Sequence, residues 1–355
     1  MTLTILERIK TIPYYPKALM YGMGEGWVRL SSNENPFPPS PEVFAAILDS
    51  LFYVNRYPGG EFALKEAIAH KFNVTPDEVI IGNGSNELIE TALKAMVHET
   101  RKSVIIPEPS FAFYRIASLI YGYHVEAVPL RDMRVDFSAI MSRIDERTRI
   151  IFLNNPVNPT GTIFEEEAFV DFLQKIPQDV LVVVDEAYGE FVENTQFPRT
   201  NRLVAEYPVI VLRTFSKAYG LAGLRVGYAI GEASLISFLE RTKQPFSINT
   251  IALVAAQAAL NDDRHLQKVL ANNHTGKDFF TTALKDLSIP FIPSETNFLL
   301  IHIGHHAEEI VKKLFDEKIL VRWMGPYGLP DYIRVTIGRM DENIQFIETL
   351  KRVVR

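Results

Sequence analysis

No cysteine occurs anywhere in the 355 residues, which excludes disulfides, thiolate-ligated zinc, iron–sulfur clusters and any cysteine nucleophile. The chain also lacks an apolar run of about 18 residues, the length needed to cross a bilayer as a helix. Residues Met1 to Lys10 mix Glu7, Arg8 and Lys10 into their apolar positions and have no signal-peptide core, so a cytoplasmic protein is expected. Nor is there an excess of positive charge. A formal net charge of −6 and a pI near 5.8 provide no global field for nucleic acid or for an anionic membrane surface. What remains, with 47% hydrophobic and 23% charged residues, is a globular chain long enough for about two domains.

Short runs rich in Val and Ile alternate with helical patterns through the middle of the chain, which predicts an α/β fold built on a mostly parallel sheet. The expected strands are Val79–Ile81, Ser103–Ile106, Ile150–Leu153, Val180–Val184 and Val209–Leu212, with helices over Asn86–Val97, Phe164–Gln174 and Ile251–Leu260. After Asp262 the pattern changes to a long helix, strands near Asn297–Ile303, Ile319–Trp323 and Tyr332–Ile337, and a closing helix. Residues 41–261 are therefore expected to form a large domain and residues 262–355 a smaller α+β one. Residues 1–40, with Pro13, Pro16, Pro36, Pro38 and Pro39, read as an extended arm with little helix that joins the small domain.

Ligands of open α/β sheets collect at the carboxyl ends of the strands, so the polar residues that follow each apolar run are read as one site. Gly82-Asn83-Gly84-Ser85-Asn86-Glu87 is a glycine turn into a helix. Its Gly84, Ser85 and Asn86 suit an anion, although a plain helix cap explains the segment equally well. Glu87 stands where a dinucleotide fingerprint would need its third glycine, which weakens a dehydrogenase reading. Asn158 lies in Asn154-Asn155-Pro156-Val157-Asn158-Pro159-Thr160-Gly161, where two Asn-Pro steps can aim an amide into a cleft or make an ordinary turn. Asp185 and Tyr188 follow a wholly apolar strand, where a carboxylate is costly unless paired. Lys217 ends Arg213-Thr214-Phe215-Ser216-Lys217. Thr214, Ser216 and the fork of Arg225 would suit a phosphate dianion.

Asn158-Pro159-Thr160-Gly161, Asp185-x-x-Tyr188 and Ser216-Lys217 with Arg225 eight residues later together resemble the fold-type I aminotransferases. Leu30-Ser31-Ser32-Asn33-Glu34-Asn35-Pro36 and Arg56-Tyr57-Pro58 are similar to the histidinol-phosphate aminotransferase branch. The resemblance implies a large, mostly parallel seven-stranded sheet domain with a small α+β domain, and pyridoxal 5'-phosphate as cofactor. It implies Lys217 as the Schiff-base lysine and proton shuttle, Asp185 as partner of the pyridine nitrogen, and Asn158 and Tyr188 as partners of the ring oxygen. Arg225, Ser216, Thr214 and the turn Gly84-Ser85-Asn86 would hold the phosphate. Phe111 would stack on the ring, though a core aromatic is an equal reading. Tyr57 would reach the phosphate of a neighbouring subunit, making the protein an obligate homodimer.

By the same resemblance Arg334 grips the carboxylate or phosphate end of the substrate and Arg322 assists. The substrates implied are histidinol phosphate on one side and glutamate or 2-oxoglutarate on the other. Tyr14 is the arm residue expected to touch substrate, with Tyr15 and Tyr21 as alternatives. On one scaffold, a threonine-phosphate decarboxylase or an aromatic amino acid aminotransferase would share Lys217 and Asp185. A cofactor-sensing regulator would need a DNA-binding module, for which the arm is too short. His302, His305 and His306 are read as solvated loop residues in preference to metal ligands. The stretch Gly22-x-Gly24-x-Gly26 is read as flexible arm.

Overall fold

The computed structural model of the chain describes residues 5–16 and 26–354. Its strands are β1 (Val28–Arg29), β2 (Val79–Gly82), β3 (Ser103–Glu108), β4 (His124–Pro129), β5 (Thr148–Asn154), β6 (Leu181–Asp185), β7 (Val209–Thr214), β8 (Gly227–Gly231), β9 (Phe291–Ile292), β10 (Phe298–His302), β11 (Ile319–Leu320), β12 (Arg322–Trp323) and β13 (Tyr332–Thr336). A seven-stranded sheet has the order β2-β8-β7-β6-β5-β3-β4, with every pairing parallel except the two that β8 makes with β2 and β7. The five expected strands of this sheet are all present, each within a few residues of its expected limits.

The central strands are near-continuous apolar runs because helices cover both faces of the sheet, leaving no side of β6 exposed to water. Two apolar clusters result, one on each face. Val182 and Val184 belong to one, and Val183, between them, to the other. The helix Thr250–Leu260 completes the first cluster with a row of alanines whose small side chains let the helix Pro41–Ser50 pack closely on it. Asn249 caps that alanine helix by accepting the Ala252 N–H at 2.8 Å, and Ser40 caps its neighbour.

A four-stranded antiparallel sheet, β12-β13-β10-β9, carries a third cluster with the helices Ala307–Asp316 and Met340–Val353. The long helix Asp263–Asp286 serves both bodies, giving Leu266 and Val269 to the first cluster and Phe280 and Leu284 to the third. The expected strand over Ile319–Trp323 is split at Val321. Its first half pairs with β1 in parallel and its second half pairs with β13, with Arg322 directly opposite Arg334. Among its described residues the arm carries one short helix, Glu7–Thr11.

Two strands of the large sheet escape sequence reading. β4 is an edge strand whose outer residues, His124 and Glu126, interrupt the apolar pattern. In β8 glycines stand at both ends, and Gly227 has a packing reason: a Cβ there would lie 2.8 Å from the Arg213 carbonyl oxygen and 2.8 Å from the Ser85 nitrogen. The glycine is what allows the Gly84–Asn86 turn to approach the strand that leads to Lys217.

Candidate active site

The carboxyl ends of β5, β6 and β7 open into a cleft of about 420 Å³, bounded on its far side by β12, β13 and the arm. Asp185 is the last residue of β6, in register with Asn154 on β5 and Leu212 on β7. It is buried, accepts the Tyr114 hydroxyl at 2.7 Å and the Ala187 N–H at 3.1 Å, and keeps its remaining acceptor capacity for the cleft. Burial pushes its carboxyl up to about 6, against the opposing pull of the Tyr114 hydrogen bond and of Lys217.

Lys217 reaches the same cleft from the loop after β7, and its Nζ donates to the Ser32 carbonyl at 3.1 Å. Its pKa is drawn down to about 8, chiefly by burial and then by the positive charges of Arg334 and Arg225. The neutral amine, which is the form that attacks an aldehyde and accepts a proton, is thus accessible near neutral pH. Tyr188 lies over the lysine, with Nζ 5.8 Å from its ring centre. Its hydroxyl accepts the Asn33 side-chain amide at 2.8 Å and lies 3.5 Å from the Asn158 amide nitrogen. Burial raises this phenol to about 12.

At one end of the cleft Thr214 donates to Ser216 Oγ at 2.9 Å, and Arg225 donates to the same oxygen at 3.4 Å. Arg225 adopts a left-handed backbone, φ 56°. Glycine at residue 84, itself at φ 70°, leaves room for the Arg225 guanidinium, since a Cβ there would stand 2.6 Å from Nη2. Ser85 and Asn86, in the first turn of the helix Gly84–Ala95, line the cleft beside it. Two hydroxyls, a guanidinium and a helix N-terminus of more than three turns make an anion cradle. Glu87 turns away and accepts the Asn83 N–H and the Ser247 hydroxyl, so this capping contact leaves Ser85 and Asn86 open to the cleft.

At the opposite end stand Arg334 and Arg322. Arg334 is buried, donates to Asn158 Oδ1 and to the Ser31 carbonyl, and lies over the Phe298 ring. Arg322 donates to the Pro16 carbonyl at 3.3 Å. Among the described residues no carboxylate lies within 4 Å of Arg225, Arg322 or Arg334, and the buried Nε atoms of Arg322 and Arg334 have no partner. Two like charges facing each other across a strand pair are unfavourable without an anion between them. Their mutual repulsion and burial lower the pKa of Arg334.

The structure therefore brings together Lys217, Asp185, Tyr188, Asn158, Arg225, Ser216, Thr214, Ser85, Asn86, Phe111, Arg334 and Arg322 on one cleft, with Gly84 just behind Arg225. Tyr14 is a correction: it is 97% exposed and lies off the cleft, whereas its neighbour Tyr15 lines it, edge-on to Phe111 at 6.2 Å. Tyr21, Gly22 and Gly24 lie outside the described residues. Tyr57 is exposed, stacks on Phe246 at 4.8 Å, and does not touch the cleft of its own chain. His305 pairs with Asp331 and His306 with Glu309. Among the cleft residues that sequence reading missed are Tyr114, Asn33, Asn154 and Tyr327. Asn33 had a local signal, an Asn before Glu-Asn-Pro in a left-handed backbone at φ 54°. Tyr114 had none beyond membership of the run that holds Phe111.

The model of aminotransferase class I and II matches residues 25–350. The chain belongs to this family. Among its aminotransferase relatives is histidinol-phosphate aminotransferase 2 of Pseudomonas fluorescens (strain Pf0-1), 41% identical over 329 residues that cover 92% of this chain and 89% of the relative. The histidinol-phosphate aminotransferase of Halalkalibacterium halodurans is 40% identical over 318 residues, covering 89% and 86%. Among solved structures, histidinol-phosphate aminotransferase from Sinorhizobium meliloti in complex with pyridoxal-5'-phosphate superposes with a TM-score of 0.92 at 29% identity, covering 100% of this chain and 98% of that one. The seven-stranded sheet of this aminotransferase is thus the fold of its relatives.

Proposed function

We propose that this aminotransferase uses pyridoxal 5'-phosphate to move an amino group between L-histidinol phosphate and 2-oxoglutarate, giving imidazole-acetol phosphate and L-glutamate in histidine biosynthesis. The observation that carries the reading is the single cleft with Lys217 and Asp185 at its centre and an unpaired cationic site at each end. Support for the substrate comes from relatives about 40% identical that bear this enzyme's name.

The residues fit the cofactor on chemistry that the chain itself displays. Arg225, Ser216, Thr214, Ser85 and Asn86 would hold its phosphate, Asp185 its ring nitrogen, Asn158 and Tyr188 its ring oxygen, and Lys217 its aldehyde carbon. When bound, the cofactor supplies an electron sink for the carbon that carries the amino group. Lys217 would hold and move the proton at that carbon. Its depressed pKa lets it act as a base without waiting for high pH. Asp185, whose carboxyl burial pushes up to about 6, would pair as a carboxylate with a cationic ring nitrogen. Arg334 and Arg322 orient the phosphate of histidinol phosphate and, in the other half-reaction, a carboxylate of glutamate.

We read residues 41–261 as the cofactor-holding domain, 262–355 as the smaller domain and 1–40 as the arm that joins it. We read the working unit as a cytoplasmic homodimer. Phe44, Leu48, Phe52, Tyr53, Tyr57 and Phe62 form an exposed apolar band, the kind of surface that a second copy covers, and Tyr57 would then reach the partner's cofactor phosphate. No helix among the described residues is long and apolar enough to cross a membrane. The direct test incubates purified holoenzyme with histidinol phosphate and 2-oxoglutarate and follows glutamate. Glutamate formation supports the reading; carbon dioxide release from phosphothreonine without glutamate formation would contradict it.

A further inference from the structure

Beneath the cleft floor, on the other face of the sheet, three charged side chains gather, Glu186 buried and Arg213 and Glu190 largely so. Arg213 donates through Nη2 to Glu186 and through Nη1 to Glu190, the latter at 3.2 Å. The Phe72 ring lies 5.2 Å from the guanidinium carbon, and Tyr228, Tyr219 and Phe215 close the cluster. Gly189 completes the seat: a Cβ at this position would stand 2.9 Å from Nη1 and 3.0 Å from Nη2.

The strand period explains why this cluster touches the site without belonging to it. Successive residues point to opposite faces, so Thr214 and Ser216 line the cleft while Arg213 and Phe215 point below, and Asp185 lines it while Glu186 points below. Each member of the ion pair is the chain neighbour of a cleft residue. The backbone already ties the two segments, with the Glu186 N–H donating to the Leu212 carbonyl at 2.8 Å. The Arg213 fork extends this tie across the whole Glu186–Glu190 turn, which contains Tyr188.

Stability alone does not account for the arrangement, because a buried ion pair is commonly replaceable by apolar side chains at no loss. Geometry does. A planar fork can hold two carboxylates at fixed positions, which a lysine's single ammonium cannot. We propose that Arg213 is a positioning residue for the reaction: by gripping Glu186 and Glu190 from beneath, it fixes Asp185 and Tyr188 relative to the strand that leads to Lys217, and so sets the tilt of the cofactor ring between them. The proposal rests on the functional reading above.

The test uses holoenzyme of the parent, Arg213→Lys, Arg213→Met and Glu190→Gln. Visible circular dichroism of the bound cofactor, relative to its absorbance, reports the ring's orientation. Cofactor retention on dialysis, kcat and KM, and thermal unfolding complete the set. Arg213→Lys is expected to remain folded, to lose a clear part of the visible dichroism, and to lower kcat by roughly tenfold or more with little change in KM. Glu190→Gln should move the same quantities in the same direction by less. If Arg213→Met does not fold, these two variants decide. A parent-like dichroism, retention and kcat in Arg213→Lys and Glu190→Gln, with or without a lower melting temperature, would overturn the proposal. A parent that acquires no visible cofactor band would instead overturn the functional reading itself, and this proposal with it.

Discussion

Asp185 is buried and Lys217 half-buried, and withdrawal from water acts on them in opposite directions. It disfavours the ammonium of one and the carboxylate of the other, which draws Lys217 down to about 8 and Asp185 up to about 6. The sign for Lys217 follows directly: the neutral amine grows in as pH rises through about 8, so capture of added pyridoxal phosphate by cofactor-free protein should accelerate over that interval. Stopped-flow absorbance at a series of pH values checks this, and a rate flat from pH 7 to 9 would contradict it. Asp185→Asn should retain the fold yet lose roughly a hundredfold or more in kcat, since an amide cannot hold a cationic ring nitrogen. Arg334→Ala should cost about 1.5–3 kcal/mol in transition-state binding, read as a tenfold or greater fall in kcat/KM for the phosphorylated donor. Asp185 was legible because it directly follows an apolar run and Lys217 because it ends the polar loop after another, whereas Arg334 was legible only through the family resemblance. Tyr114 was not legible, because its role rests on a hydrogen bond to Asp185 across 71 positions of chain. The choice of Tyr14 failed for a related reason: adjacent residues of an extended arm face opposite ways, and sequence does not say which tyrosine faces in.

Among the elements, strands buried on both faces were the readable ones. β5, β6 and β7 are near-continuous apolar runs because helices cover the sheet on both sides, and their carboxyl ends fix where the cleft opens. β8 is absent from the expected strands, and the glycines that bound it, Gly227 and Gly231, are needed for close packing. That requirement is testable. Gly227→Ala should force the Ser85 turn away from β7, destabilise the protein by about 1–3 kcal/mol and weaken cofactor retention, measured by denaturant unfolding and dialysis. The split of the expected strand at Val321 was likewise invisible in composition, since Ile319 to Trp323 is apolar apart from one arginine. Only the pairing of β12 with β13 reveals why that arginine matters, because it sets Arg322 opposite Arg334.

At the scale of the whole molecule, the cleft lies between two bodies joined by the helix Asp263–Asp286, which packs into the core of each. An exposed aromatic and aliphatic band on the first body is hard to reconcile with an isolated monomer. If the proposed homodimer forms through this surface, Phe52→Lys, at a residue 87% exposed, should leave the subunit folded, give a monomer where the parent sediments as a dimer, and lower cofactor retention. The central claim remains the covalent role of Lys217, and one experiment addresses it directly: the absorbance spectrum of purified protein with pyridoxal phosphate, before and after borohydride reduction, for the parent and for Lys217→Ala. The parent is expected to show a visible cofactor band that reduction converts to a permanent protein adduct, and the variant to give no adduct; an undiminished reducible adduct in Lys217→Ala would contradict the account.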